Sequence, residues 1–278
     1  MVELSGYAMS DAARALAFYA IALALSALVL GLSSWLGEAS PLVTMLTPAL
    51  AVLAMMAVTG EGSSRQAWRS LGFHRAAWEY WPIAAGLPAA VLVAAYGLTW
   101  ATGLGHLAVP EMPGGYPQVA ARLGLGFCFG LVLAMGEEIG WRGYMLPRLL
   151  AAAGVLPAML VVGFLHGVWH MPLLLGTPYY HSAGNPVVVV PMFLATLTLA
   201  GVVFGWLRLA SESVWPVAIA HAAWNFVWGI LAEMTKGAPD TLEYVAGESG
   251  ILPLAGLAIV AALLVRRMPK RLAAQPVA

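Results

Sequence analysis

The chain has 278 residues, of which 61% are hydrophobic and 9% charged, and its formal net charge is zero. A soluble domain carries about 25% charged residues, so the composition excludes an ordinary water-soluble fold and points to a membrane. No basic surface suggests a nucleic-acid partner, and the single cysteine, Cys128, excludes an internal disulfide; in its apolar run it reads as a small packing residue.

A membrane-spanning helix needs about 20 mostly apolar residues, and eight runs qualify. The first covers 13–36. The N-terminus before it, Met-Val-Glu-Leu-Ser-Gly, has no basic stretch, so this run reads as a retained helix and not a cleaved signal peptide. The second covers 41–60, after the joint "GEASP", and the third 80–104, entered through "WEYWP" as an interfacial anchor. The fourth, 119–140, follows "EMPGGYP" and ends in two adjacent glutamates. The fifth covers 156–176, the sixth 187–208 after "GTPYYHSAGNP", the seventh 214–234 and the eighth 250–268. Backbone in lipid must satisfy its own hydrogen bonds, and these runs are too long and continuous for barrel strands. The expected architecture is all-α: one polytopic membrane domain over 1–278 with about eight transmembrane helices, in contact with the lipid bilayer. Thirty glycines would permit close helix packing, but no pair marks a dimer interface.

Orientation follows from Lys and Arg in short loops. Arg65, Arg69 and Arg75 lie between spans 2 and 3; Arg142 and Arg148 follow span 4; Arg208 follows span 6; and Arg266, Arg267, Lys270 and Arg271 form the tail. The alternate loops hold only Lys236, among acids. An even number of spans puts all the basic segments and both termini on one side, the cytoplasm. Short loops and abundant alanine suit a prokaryotic plasma membrane.

Ionisable groups inside a membrane are expensive and point to function. In "GEEIGWR" the adjacent glutamates point about 100° apart. Glu138 and Arg142 are four apart and can pair, which leaves Glu137 to face something else; the bland reading is an ion-pair pin at a helix end. In "FLHGVWHMP", His166 and His170 share one face, either as packing residues or as base, donor or ligand. In "VWPVAIAHAAWNF", His221 and Asn225 share a face, either as helix–helix glue or as donors to an oxyanion. Together, the three patches on spans 4, 5 and 7 need a shared polar cavity to avoid lipid. Glu, His and Asn around water form a hydrolytic set, with 119–234 as the catalytic core segment. At about 1.5 Å per residue, His221 and Asn225 lie roughly 12 and 18 Å from Ser213, and Glu137 roughly 7 Å from Arg142. These depths permit one cavity opening to the cytoplasm. His74, His106 and His181 fall in loops and read as solvated, and the acidic loop 233–248 as an outer surface.

The three motifs resemble those of the CPBP (Abi) family, which comprises CAAX prenyl proteases of the Rce1 type and bacteriocin-processing enzymes. The family pattern is Glu-Glu-x-x-x-Arg, Phe-x-x-x-His and His-x-x-x-Asn or Asp, in that order. This chain has "EEIGWR" at 137–142, "HGVWH" at 166–170 and "HAAWN" at 221–225. It departs at the second motif, where His166 stands in the Phe position; the departure adds a ligand or proton carrier beside His170. The resemblance implies that Glu137 activates water with His170 assisting, that His221 and Asn225 form the oxyanion hole, and that Glu138 and Arg142 support the site. It implies a peptide or prenylated protein as substrate and no cofactor. A zinc site from His166, His170, His221 and a glutamate is chemically conceivable but not favoured, since the motif explains His170 and His221 without metal and His-Glu-x-x-His is absent. Two other classes stay open: a transporter or proton relay, for which no repeated halves are visible, and a non-catalytic bacteriocin-immunity protein of the same fold.

Overall fold

The computed structural model describes residues 9–110, 115–177 and 183–268. Helices dominate it, and eight stretches are long and apolar enough to cross a membrane: Asp11–Gly31, Ser33–Val58, Trp78–Ala101, Gly115–Ala153, Val155–Gly176, Pro186–Ser211, Trp215–Glu233 and Pro239–Arg266. The protein is an all-α polytopic membrane protein, as its hydropathy predicts.

In chain order the helices are α1 (Asp11–Gly31), α2 (Ser33–Leu36), α3 (Ser40–Val58), α4 (Arg65–Ser70), α5 (Trp81–Ala101) and α6 (Gly115–Glu138). A π-helical segment, Ile139–Met145, joins α6 to α7 (Leu146–Ala153). Then come α8 (Val155–Trp169), α9 (Met171–Gly176), α10 (Pro186–Ser211), α11 (Trp215–Glu233), α12 (Pro239–Ala246) and α13 (Ile251–Arg266). Local signals set the boundaries. Ser10 caps α1 by accepting from the Ala13 amide, with Asp11 in the first turn, where a negative charge suits the helix dipole. Asn185 caps α10 by accepting from the Val187 amide, with Pro186 in the first turn.

Several expectations need correction. The first span ends at Gly31, so Ser33–Leu36 belong to the next stretch. The fourth runs on to Ala153 instead of stopping near 140, because the π segment carries the chain past its charges without breaking the helix. Cys128 is exposed and packs no core; it lies in the part of α6 whose side chains are mostly exposed, from Gly115 to Val132. The acidic loop contains α12 and brings Glu248 inward, as described below. Lys270, Arg271 and His181 lie outside the described residues.

The helix ends gather on two faces. On one, Glu61 pairs with Arg14 at 2.7 Å and Arg148 at 2.9 Å, and the Arg148 guanidinium stacks 3.5 Å from the Tyr144 ring centroid. Arg75 and Glu79 pair on the same face. On the other, His106–Leu107 (β1) pairs antiparallel with Thr235–Lys236 (β2), and Trp100 Nε1 donates to Thr235 Oγ1 at 3.0 Å. There Glu243 accepts from the amides of Ala183 and Gly184 at 3.1 and 2.5 Å. Between the faces, α8 lies hard against α10. A Cβ on Gly163 would stand 2.5 Å from the Leu197 carbonyl oxygen, and one on Gly201 2.6 Å from that of Met159. Only glycine permits this approach, and it sets the position of His166, one turn further along α8, and of His170 just past its end.

Candidate active site

Glu137 and Glu138 end α6 where the helix turns into the π segment. Such bulges recur at functional sites because they re-aim side chains. The backbone is held close to its neighbours here: a Cβ on Gly140 would come within 2.6 Å of Pro48 and 2.8 Å of Phe18. Both glutamates and Arg142 are buried, with 1%, 0% and 0% exposure. Burying charge costs several kcal/mol per ion, so each group must have partners.

The partners form one chain of hydrogen bonds. Arg142 Nη1 donates to both oxygens of Glu138 at 2.9 and 3.0 Å, and the guanidinium lies 5.0 Å from the Phe204 ring centroid. His221 Nδ1 lies 2.8 Å from Glu138 Oε1. Arg142 Nη1 also reaches His166 Nδ1 at 3.2 Å, and His166 Nε2 lies 2.7 Å from Glu137 Oε2. Arginine can only donate, so His166 Nδ1 accepts. With Glu137 a carboxylate, His166 Nε2 carries the ring proton and donates to it. With Glu138 a carboxylate likewise, His221 Nδ1 carries a proton. His170 Nδ1 donates to the His166 carbonyl at 3.0 Å, so in the neutral ring the lone pair is on Nε2. The rings are locked by packing: Trp141 stacks on His166 at 4.9 Å and Phe204 on His221 at 5.7 Å.

A cavity of about 430 Å³ meets this network. Glu137, His170, His221 and Asn225 line it, so it joins groups from spans 4, 5 and 7. The buried Glu138 and Arg142 stand behind His221 and are not among its lining residues. His166 lines a separate small pocket with His221 and Asn225. The cavity's remaining wall is Pro41, Met45, Phe193, Leu197, Trp228 and Glu248.

Two features escape sequence reasoning. His166 bonds directly to Glu137, on the side where sequence reasoning leaves Glu137 facing water. Glu248, from the α12–α13 joint, faces the cavity, and not the outer surface expected of its loop. The signal for Glu248 was slight: a lone carboxylate in "GESG", immediately before an apolar span.

Glu137, His166 and His170 offer ligand atoms within 4.8 Å of one another, so a metal site must be considered. The donor chemistry fits poorly. A zinc-bound His uses an unprotonated nitrogen and donates its other N–H to an acceptor. Arg142 is a donor, so it holds the His166 proton on Nε2, the nitrogen beside Glu137. Ligation there would set two donors, Nδ1–H and Nη1–H, against each other at 3.2 Å.

Comparison with known proteins agrees with the motifs. Residues 117–227 match the family model described as "Type II CAAX prenyl endopeptidase Rce1-like". A protein of Methanococcus maripaludis named CAAX prenyl protease 2 is 26% identical over 132 residues, 47% of this chain. That alignment spans 46% of the relative's length, about half of it. The segment that carries all three motifs and supplies Glu137, His170, His221 and Asn225 to the cavity is therefore the part of the chain that matches the Rce1-like model and is similar to CAAX prenyl endopeptidases.

Proposed function

We propose that the protein is an intramembrane endopeptidase of CAAX-protease type that hydrolyses a peptide bond with a glutamate-activated water. The observation that carries this reading is the convergence of Glu137, His170, His221 and Asn225 on one cavity, with Glu138 and Arg142 buried behind it. Glu137 takes a proton from water as the oxygen attacks the scissile carbonyl carbon, with His170 positioning that water. Asn225 Nδ2 and His221 Nε2 donate to the oxyanion. His221 Nδ1 is engaged by Glu138, so a donating Nε2 requires the imidazolium form, whose charge the Glu138 carboxylate balances. When the tetrahedral intermediate collapses, the C–N bond breaks and Glu137 returns its proton to the leaving amine.

His166 positions Glu137 through Nε2–H while Arg142 fixes the tautomer. The same arrangement supports a reaction without metal. The resemblance supports a prenylated or other membrane-bound peptide as substrate, the Lys and Arg distribution supports cytoplasmic termini, and short loops with abundant alanine support a prokaryotic plasma membrane. The test incubates purified protein with a farnesylated peptide carrying a CAAX-type tail, beside its unprenylated twin and the Glu137→Ala variant. Mass spectrometry is expected to find tail release by the wild type alone. Release by Glu137→Ala would remove Glu137 from the mechanism. Glu137-dependent proton or solute flux in proteoliposomes, without hydrolysis of any peptide, would replace the peptidase with a transporter.

A further inference from the structure

Among the described residues, three carboxylates line or back the catalytic cavity. Glu138 is held by Arg142 and His221, and Glu137 by His166. Glu248 lines the cavity and is only partly exposed, yet no hydrogen bond or ion pair from a described residue reaches it. A carboxylate drawn out of bulk water without a partner is costly. Its partner is therefore to be sought in what occupies the cavity.

The chain fixes Glu248 in this position. It sits in "GESG", between α12 and α13. The Gly247 amide donates to the Leu242 carbonyl at 2.7 Å, and the Gly250 amide to the Gly247 carbonyl at 2.8 Å. A Cβ on Gly247 would stand 2.5 Å from the Glu243 carbonyl oxygen, and one on Gly250 2.7 Å from that of Val245. Glycines close this turn, and the side chain between them faces inward. Glu248 then lines the catalytic cavity of about 430 Å³, the small pocket beside His166 and a third cavity of about 300 Å³.

Peptide hydrolysis creates the charge that Glu248 lacks. The attacking water gives its oxygen to the acyl carbon, and the C–N bond breaks. One proton of that water passes through Glu137 to the leaving nitrogen. The other is lost from the new carboxyl group, so at neutral pH the products are a carboxylate and an ammonium ion. A CAAX-type tail also brings its own terminal carboxylate, three residues beyond the scissile bond and up to about 10 Å from it. Attraction of the ammonium at about 3 Å exceeds that repulsion roughly threefold by distance alone, and salt screens the longer interaction further. A free C-terminus is therefore compatible with Glu248 beside the scissile nitrogen.

We propose that Glu248 receives the leaving amine: once the peptide bond breaks, its carboxylate pairs with the new α-ammonium group of the released C-terminal fragment. The ammonium as a reaction product rests on the peptidase reading above; the unpaired carboxylate in the cavity rests on the geometry alone. The ligand class is a short apolar peptide with a free α-amine. A purely structural Glu248 would not distinguish that peptide from one whose amine is blocked.

The probe is the radiolabelled tripeptide Val-Leu-Leu, beside its N-acetyl twin, which keeps the carboxylate and loses the cation. Equilibrium dialysis at neutral pH measures binding of each to the purified wild type, Glu248→Gln and Glu137→Gln. The wild type and Glu137→Gln are expected to bind the free amine about tenfold more tightly than the twin, and Glu248→Gln to bind the two within about twofold of each other, the difference of one charged hydrogen bond. The wild-type comparison needs no variant: equal binding of the twins, or binding of neither, overturns the proposal. A preference that survives Glu248→Gln, or that disappears in Glu137→Gln, overturns it as well by moving the ammonium to another group. Binding needs no turnover. A Glu248-dependent preference in a protein that cleaves no peptide removes the peptidase reading and leaves Glu248 an ammonium receptor. A protein that cleaves peptides without that preference removes the role of Glu248 alone.

Discussion

Glu137 and Glu138 are neighbours in the chain with different partners. Glu138 is held by Arg142 and His221, and Glu137 by His166. The two should therefore fail in different ways. Arg142→Ala leaves Glu138 as a buried, under-paired carboxylate, and breaking such a pair costs about 3–5 kcal/mol. Thermal unfolding should fall clearly in that variant, and an unchanged melting temperature would contradict the proposed role of the pair. His166→Phe restores the family's residue and removes one donor to Glu137. It should fold, and kcat should drop about tenfold with KM nearly unchanged, a positioning effect and not a lost base. Complete loss of activity would make His166 a reacting group. The Glu138–Arg142 pair was legible in the sequence because the spacing of four survives entry into the π segment. The Glu137–His166 bond was not, because it joins residues 29 apart across two helices.

At the scale of elements, the site depends on how closely α8 approaches α10. Hydropathy finds these helices, and the start signals of α10 at Asn185 and Pro186 are plain in the chain. The crossing itself is not legible, since many of the thirty glycines could have marked it. The structure singles out Gly163 and Gly201. Gly163→Val would drive methyl groups into the Leu197 carbonyl, 2.5 Å from the Cβ position, pushing His166 and His170 away from Glu137. Activity should fall at least as far as stability does, whereas Gly97→Val, at a glycine with nothing within 4 Å, should change neither. Equal tolerance at both sites would contradict the packing described. Glu248 was missed for a related reason: the break between α12 and α13 turns it inward, and that break is fixed by tertiary contacts and not by periodicity.

For the whole molecule, composition alone settled the class: eight apolar stretches and scarce charge specify a helical membrane protein. Depth counting along single helices put the three patches at compatible levels for one cavity, expected to open to the cytoplasm, and Glu137, His170, His221 and Asn225 do line one cavity. The cavity's remaining walls come in part from the ends of α3, α10 and α11, which no single helix reveals. The metal question also belongs to this scale, because Arg142 connects both glutamates through one network. Exhaustive chelation of the purified protein should leave hydrolysis within about twofold of the untreated enzyme if no metal takes part; loss on chelation with recovery on adding zinc would contradict that.

The most direct measurement concerns Glu137 as the group that activates water. The Glu137→Gln variant keeps the size and hydrogen-bonding shape of the side chain but cannot accept the proton. Its kcat on a peptide cleaved by the wild type should be lower by about 10²–10⁴-fold, the usual worth of a general base, with a melting temperature close to that of the wild type. A folded Glu137→Gln enzyme with kcat within a few-fold of the wild type would contradict the mechanism at its centre.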